Sequence, residues 1–147
     1  MLSDLQGNSN EDAIGTSPAN SPDAITVGAT DITDSRASYS NYGPIVDIFS
    51  PGTSVTSAWI GSPDNTNTIS GTSMATPAVA GLVAYYLNIL GGDTTPKMMR
   101  DHIQATATKF ALANSKSTFP QTLFLFLISF PTALTSPNLL AFNSYGN

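Results

Sequence analysis

Ile69-Ser70-Gly71-Thr72-Ser73-Met74-Ala75-Thr76-Pro77-Ala78-Val79-Ala80-Gly81-Leu82 is the stretch that decides the fold. It sets a serine where a glycine turn gives way to a helix. Ala75, Val79, Leu82, Val83, Tyr86 and Leu87 recur at spacings of three and four, the pattern of one buried helix face. They predict a helix from about Ser73 to Leu90, ended by Gly91-Gly92. Gly71 is expected to take a backbone conformation closed to side chains, and Pro77 to lie near the first turn, where it is tolerated. A hydroxyl at a helix start faces unpaired N–H groups and the positive end of the dipole. That setting suits an oxyanion forming beside Ser73, and it equally suits a plain helix cap.

Outward from this core, Gly71 to Pro77 followed by Val79-Ala80-Gly81-Leu82 resembles the nucleophile motif of subtilisin-like serine proteases, the peptidase S8 family, and within it the proteinase K-like branch. The resemblance implies an α/β fold of three layers with a mainly parallel sheet between helices. The family's catalytic domain is about twice as long as this chain, so residues 1–147 correspond to its C-terminal half. The resemblance covers residues 7–113 and 137–143. It implies peptide hydrolysis by a Ser-His-Asp triad, with Ser73 as nucleophile and polypeptide substrates.

The family's Asp and His lie near the start of its domain, and no segment here matches them. The chain alone is therefore expected to be inactive. Two alternatives stand beside this reading: a non-catalytic relic or peptide-binding module, and a serine esterase using His102, the single histidine. Against the esterase, Gly71-Thr72-Ser73-Met74-Ala75 lacks the second glycine of the nucleophile elbow. His102 reads as a surface residue of a helix opened by Thr95 as cap and Pro96. Met98, Met99, Ile103 and Ala107 would form that helix's buried side.

Gly7-Asn8-Ser9-Asn10-Glu11-Asp12-Ala13 is rich in turn formers and reads as a loop. It resembles the family stretch bearing the oxyanion-hole asparagine, which falls on Asn8. A neutral amide N–H stabilises an oxyanion without titrating. Gly7 and Thr72 are the substrate-binding positions implied alongside. Residues 1–6 show no clear pattern, and Leu5-Gln6 stand where the family has two alanines.

Ala24-Ile25-Thr26-Val27-Gly28-Ala29-Thr30 is a β-branched run that predicts a buried strand. In Val46 to Val55, Ile48, Phe49 and Val55 are expected in the core. Asp47 lies among them and needs a partner, because a buried unpaired charge is costly. The resemblance implies a structural calcium there, held by the main-chain carbonyls of Pro22 and Ala24 and by Asp47. The alternative is Asp47 capping a loop or paired with Arg36. Catalysis itself calls for no cofactor. Trp59 is expected in the core, and Ser62 to Asn67 as a polar loop.

Residues 115–135 depart from the pattern and read as an atypical insertion, consistent with a translated intron. Thr122 to Phe130 is apolar, uncharged and free of proline, an aggregation signature. It is also too short for a bilayer span of about 20 residues.

Five basic against ten acidic residues give a net charge of −5 with no basic cluster, which argues against a nucleic-acid partner. No membrane association is expected. With no cysteine, neither a disulfide nor a thiolate site is possible. The resemblance implies an extracellular or vacuolar protein, monomeric if complete. Met1-Leu2-Ser3-Asp4 opens no signal peptide.

Overall fold

In a computed structural model the described residues are 2–5, 7–91, 93–109, 111–114 and 139–141, with side chains from residue 7 onward. The insertion at 115–135 and the flanking residues 136–138 and 142–147 lie outside them. In chain order the elements are β1 (Leu2–Leu5), a single 3-10 turn (Ala13–Gly15), β2 (Ala24–Thr30), β3 (Ile48–Pro51), β4 (Val55–Ala58), β5 (Thr66–Ile69), α1 (Thr72–Leu90), α2 (Pro96–Thr106), β6 (Thr108–Lys109) and β7 (Leu139–Leu140).

The sheet is built on β2, whose seven residues are all buried. A strand covered on both faces needs a continuous apolar or β-branched run rather than alternation, and Ala24 to Thr30 supplies it. β1 lies parallel on one side, with Leu2 opposite Ala24 and Leu5 opposite Val27. β3 lies parallel on the other, with Val27 opposite Ile48. The order is β1-β2-β3-β7-β6, with β6 antiparallel at the edge. No strand is legible in residues 1–6, yet Leu2–Leu5 form one: β2 offers a paired edge that four residues of local sequence cannot reveal.

Alternate residues of each strand face opposite ways. Ile25, Val27, Ala29 and Ile48 join Ala75, Val79, Val83 and Tyr86 of α1 and Met99 and Ile103 of α2 in one core cluster. Phe49 faces the other way and packs with Val46, Leu112 and Leu140. Val55 is not in either; it is half-buried in β4. On α1, Ala75, Val79, Val83 and Tyr86 are buried as the spacing predicts, while Leu82 is half-buried and Leu87 is exposed. On α2, Met99 and Ile103 are buried but Met98 points outward. A groove of about 400 Å³ runs beside α1, lined by Ala78, Gly81, Leu82 and Tyr85 with Ser50, Pro51 and Ala141. So only one stripe of α1 is covered.

Between β3 and α1 the chain makes an antiparallel hairpin, β4 with β5; Ser62 to Asn65 are loop as expected, but Thr66 and Asn67 belong to β5. Thr56 and Thr68 face each other, their hydroxyls 2.7 Å apart. Trp59 sits at the hairpin's turn, 48% exposed and not in the core. The hairpin returns the chain to Gly52, whose carbonyl accepts from Gly71 N at 2.9 Å. A Cβ on Gly52 would come within 2.7 Å of both Ala29 Cβ and Gly71 O. Glycine there lets the turn before α1 press against β2.

Candidate active site

Ser73 is the second residue of α1 and is exposed. Its N–H belongs to the first turn, where no intrahelical carbonyl is available. Gly71 precedes the helix with φ 162° and ψ 162°, extended backbone that any residue adopts. The expectation of a forbidden conformation at Gly71 is therefore corrected. A Cβ there would lie 3.7 Å from Asn8 Nδ2 and 3.6 Å from Ser73 N. Pro77 also departs from expectation. It is the sixth residue of the helix, past the first turn, and removes the N–H that would reach the carbonyl of Ser73.

Asn8 is exposed and sits across from the start of α1. Its Oδ1 accepts from Thr72 N at 2.9 Å and from Thr72 Oγ1 at 3.1 Å. A main-chain N–H can only donate, so the atom facing it must be the amide oxygen. Nδ2, the donor end, is thereby turned away from Thr72. Thr72 itself is fully buried. Its side chain meets Asn8 and is not presented to solvent.

The Asn8 loop is held from behind by Asn41, a residue the sequence reading passed over. Asn41 is buried, and its Oδ1 accepts from Ser9 N at 2.9 Å and Glu11 N at 3.2 Å. Asn41 N also donates to Gly7 O at 3.2 Å. Gly7 has φ 101°, and a Cβ on it would be 2.6 Å from Asn41 Nδ2. Positive φ and close approach both exclude a side chain at that point. Arg36 donates to Asn10 Oδ1 at 3.0 Å and to the carbonyls of Ala37, Ser40 and Asn114. It takes no part with Asp47.

His102 is half-buried and packs edge-on to Tyr86, ring centroids 4.5 Å apart. It is not the surface residue expected. Tyr86 lies 13 residues beyond Ser73 in α1, which at about 1.5 Å per residue is about 20 Å along the helix. That separation removes His102 as a base for Ser73, and with it the esterase reading.

Pro22, Ala24 and Asp47 do converge: Pro22 and Asp47 line a cavity of about 200 Å³ with Thr26 and Arg100, and Ala24 O meets the same Arg100. Their oxygens already have partners. Arg100 Nη2 donates to Pro22 O and, at 2.7 Å, to Ala24 O. Arg100 Nε lies 3.4 Å from Asp47 Oδ1. Thr26 N donates to Asp47 Oδ2 at 2.8 Å, and Gln104 Nε2 donates to Asp47 O at 3.0 Å. Burial raises the Asp47 carboxyl above its ordinary value, and the Thr26 N–H and the Arg100 charge oppose that shift. As they stand, these three residues do not fit a calcium ion.

Comparison with known proteins accords with this geometry. A model of the subtilase family, peptidase S8, matches residues 6–128. The cuticle-degrading protease of Metarhizium anisopliae is 57% identical over 117 residues, covering 80% of this chain and 29% of that protein. Alkaline protease 1 of Aspergillus flavus is 47% identical over 137 residues, covering 93% of this chain and 29% of that protein. The chain thus spans less than a third of these relatives' length. The crystal structure of a cold-adapted subtilisin-like serine proteinase superposes with a TM-score of 0.74 at 38% identity, over 92% of this chain and 42% of that one. The match extends to the three-layer α/β arrangement.

Proposed function

The chain belongs to the subtilase family, and from that premise we propose that it carries the nucleophile and oxyanion-hole portion of a serine endopeptidase acting on polypeptides. One observation carries this reading: Thr72 fixes the Asn8 amide by its oxygen, and the space beside Gly71, where a Cβ would lie 3.7 Å from Asn8 Nδ2 and 3.6 Å from Ser73 N, is the gap the reaction would use. In the proposed reaction Ser73 Oγ attacks the scissile carbonyl. The carbonyl oxygen gains charge and moves into the gap, where two donors stand ready without reorganisation. Gly71 keeps that gap free of a side chain, and Gly7 shapes its loop wall.

The attack needs a base that takes the serine proton and returns it to the leaving amine. Since His102 is the single histidine of the sequence and packs from α2 against Tyr86, far along α1 from Ser73, the base must come from polypeptide outside these residues. The 147-residue chain assayed alone is expected to hydrolyse casein no faster than background. Fused behind the Asp- and His-bearing portion of a related protease, it should hydrolyse peptides. Robust hydrolysis by the chain alone, lost in Ser73→Ala, would contradict the need for an external base. An extracellular or vacuolar site of action is part of the same proposal, supported by the family and by a composition only 10% charged. Fractionation of the producing cells tests it.

A further inference from the structure

We propose that the Arg100 guanidinium is the built-in cation of the loop before β2, standing where the family resemblance puts calcium, so that this loop is held without metal. The argument begins with the acceptors. Two main-chain carbonyls, Pro22 O and Ala24 O, point at one place, and the Asp47 carboxylate borders it. Converging oxygens with one negative charge call for a positive donor. Arg100 reaches them from α2, more than 70 residues further along the chain. A single nitrogen, Nη2, bridges both carbonyls, while Nε lies 3.4 Å from Asp47 Oδ1 in an ion pair without a hydrogen bond. The planar fork of a guanidinium suits such a split set, whereas an ammonium presents one compact point charge.

Metal and guanidinium exclude one another here. Calcium takes six to eight oxygens at about 2.3–2.6 Å. To bond Pro22 O and Ala24 O at that range it would have to enter the space of Nη2, which is 2.7 Å from Ala24 O. Arginine cannot yield by losing its proton. The residues around the cavity bring one carboxylate, Asp47, and one cation, Arg100, and are neutral as they stand. Adding a divalent ion would leave the pocket strongly positive. Asp47 Oδ2 already accepts from Thr26 N, and Oδ1 has the Arg100 Nε charge 3.4 Å away and Gln104 Nε2 at 3.5 Å. The contact also has a mechanical result: it fastens the 19–24 loop to α2, and through Thr26 to the centre of the sheet. This inference concerns a site remote from Ser73 and does not depend on the peptidase reading.

The test is thermal unfolding of the full 147-residue chain with millimolar calcium or with EGTA. The wild-type melting temperature should agree between the two within about one degree, since a ligand stabilises only by binding the native state. Arg100→Ala frees the three acceptors. It should melt lower in EGTA and recover several degrees in calcium, with one equivalent bound in equilibrium dialysis. Asp47→Asn added to Arg100→Ala should abolish both the recovery and the binding. If Arg100→Ala cannot fold without calcium, refolding in calcium should rescue it. A wild-type chain that is stabilised by calcium would overturn the proposal, and so would an Arg100→Ala chain that gains neither binding nor stability from it.

Discussion

Two loops in this molecule are held by partners far along the chain, and they finish in opposite states. At Asn8, Thr72 occupies the amide oxygen, and the amide and Ser73 N both border the position that a Cβ on Gly71 would take. At Asp47, Arg100, Thr26 and Gln104 meet the carboxylate and its neighbouring carbonyls. On the proposed reading, the first arrangement keeps donors in reserve for charge that appears only during reaction. The second has its acceptors engaged in the resting fold. On that reading the difference separates a place built for chemistry from a place that holds shape, although both are polar clusters at the ends of strands.

The comparison is broken most severely if the two sites respond alike to substitution. In the fused, active form, Ser73→Ala should lower kcat by about a million-fold with little change in melting temperature. Arg100→Ala should do the reverse. Loss of hydrogen bonds to a charged group should cost about 1.5–3 kcal/mol of stability, read by denaturant unfolding, with kcat close to that of the parent. A large kcat loss in Arg100→Ala would mean that the two loops are not separable. A finer test is Thr72→Val, which keeps the N–H to Asn8 and deletes the hydroxyl. Removing one neutral hydrogen bond of about 1 kcal/mol should reduce kcat by about 2- to 10-fold. An unchanged kcat would show that the main-chain N–H alone orients Asn8.

Much of this was legible in the sequence, and the misses have physical causes. The spacing of Ala75, Val79, Val83 and Tyr86 marks α1 because its core face follows the helix period. Ala24 to Thr30 reads as a buried strand because all seven residues are buried. The hairpin was missed because Thr56, Ser57 and Ala58, and Thr66 and Thr68 opposite them, are exposed, so no inward face alternates. Ser73 and Asn8 are singled out by the resemblance alone, and the contact of Asn8 with Thr72 beside Ser73 spans 64 residues and leaves no local mark. Asn41 looks like an ordinary loop residue until its carbonyl oxygen meets Ser9 and Glu11. Arg100 looks like a solvated helix charge, since nothing between it and Ala24 in sequence announces the contact.

The central claim is that Asn8 acts on the transition state and not on substrate binding. The direct measurement is kcat and KM of Asn8→Ala beside the parent in the fused form, on one peptide substrate. A donor used only as charge develops should lower kcat by about 100- to 1000-fold, the range known from the equivalent substitution in subtilisin, and leave KM nearly unchanged. An Asn8→Ala enzyme with kcat intact, or with the loss confined to KM, would contradict the account.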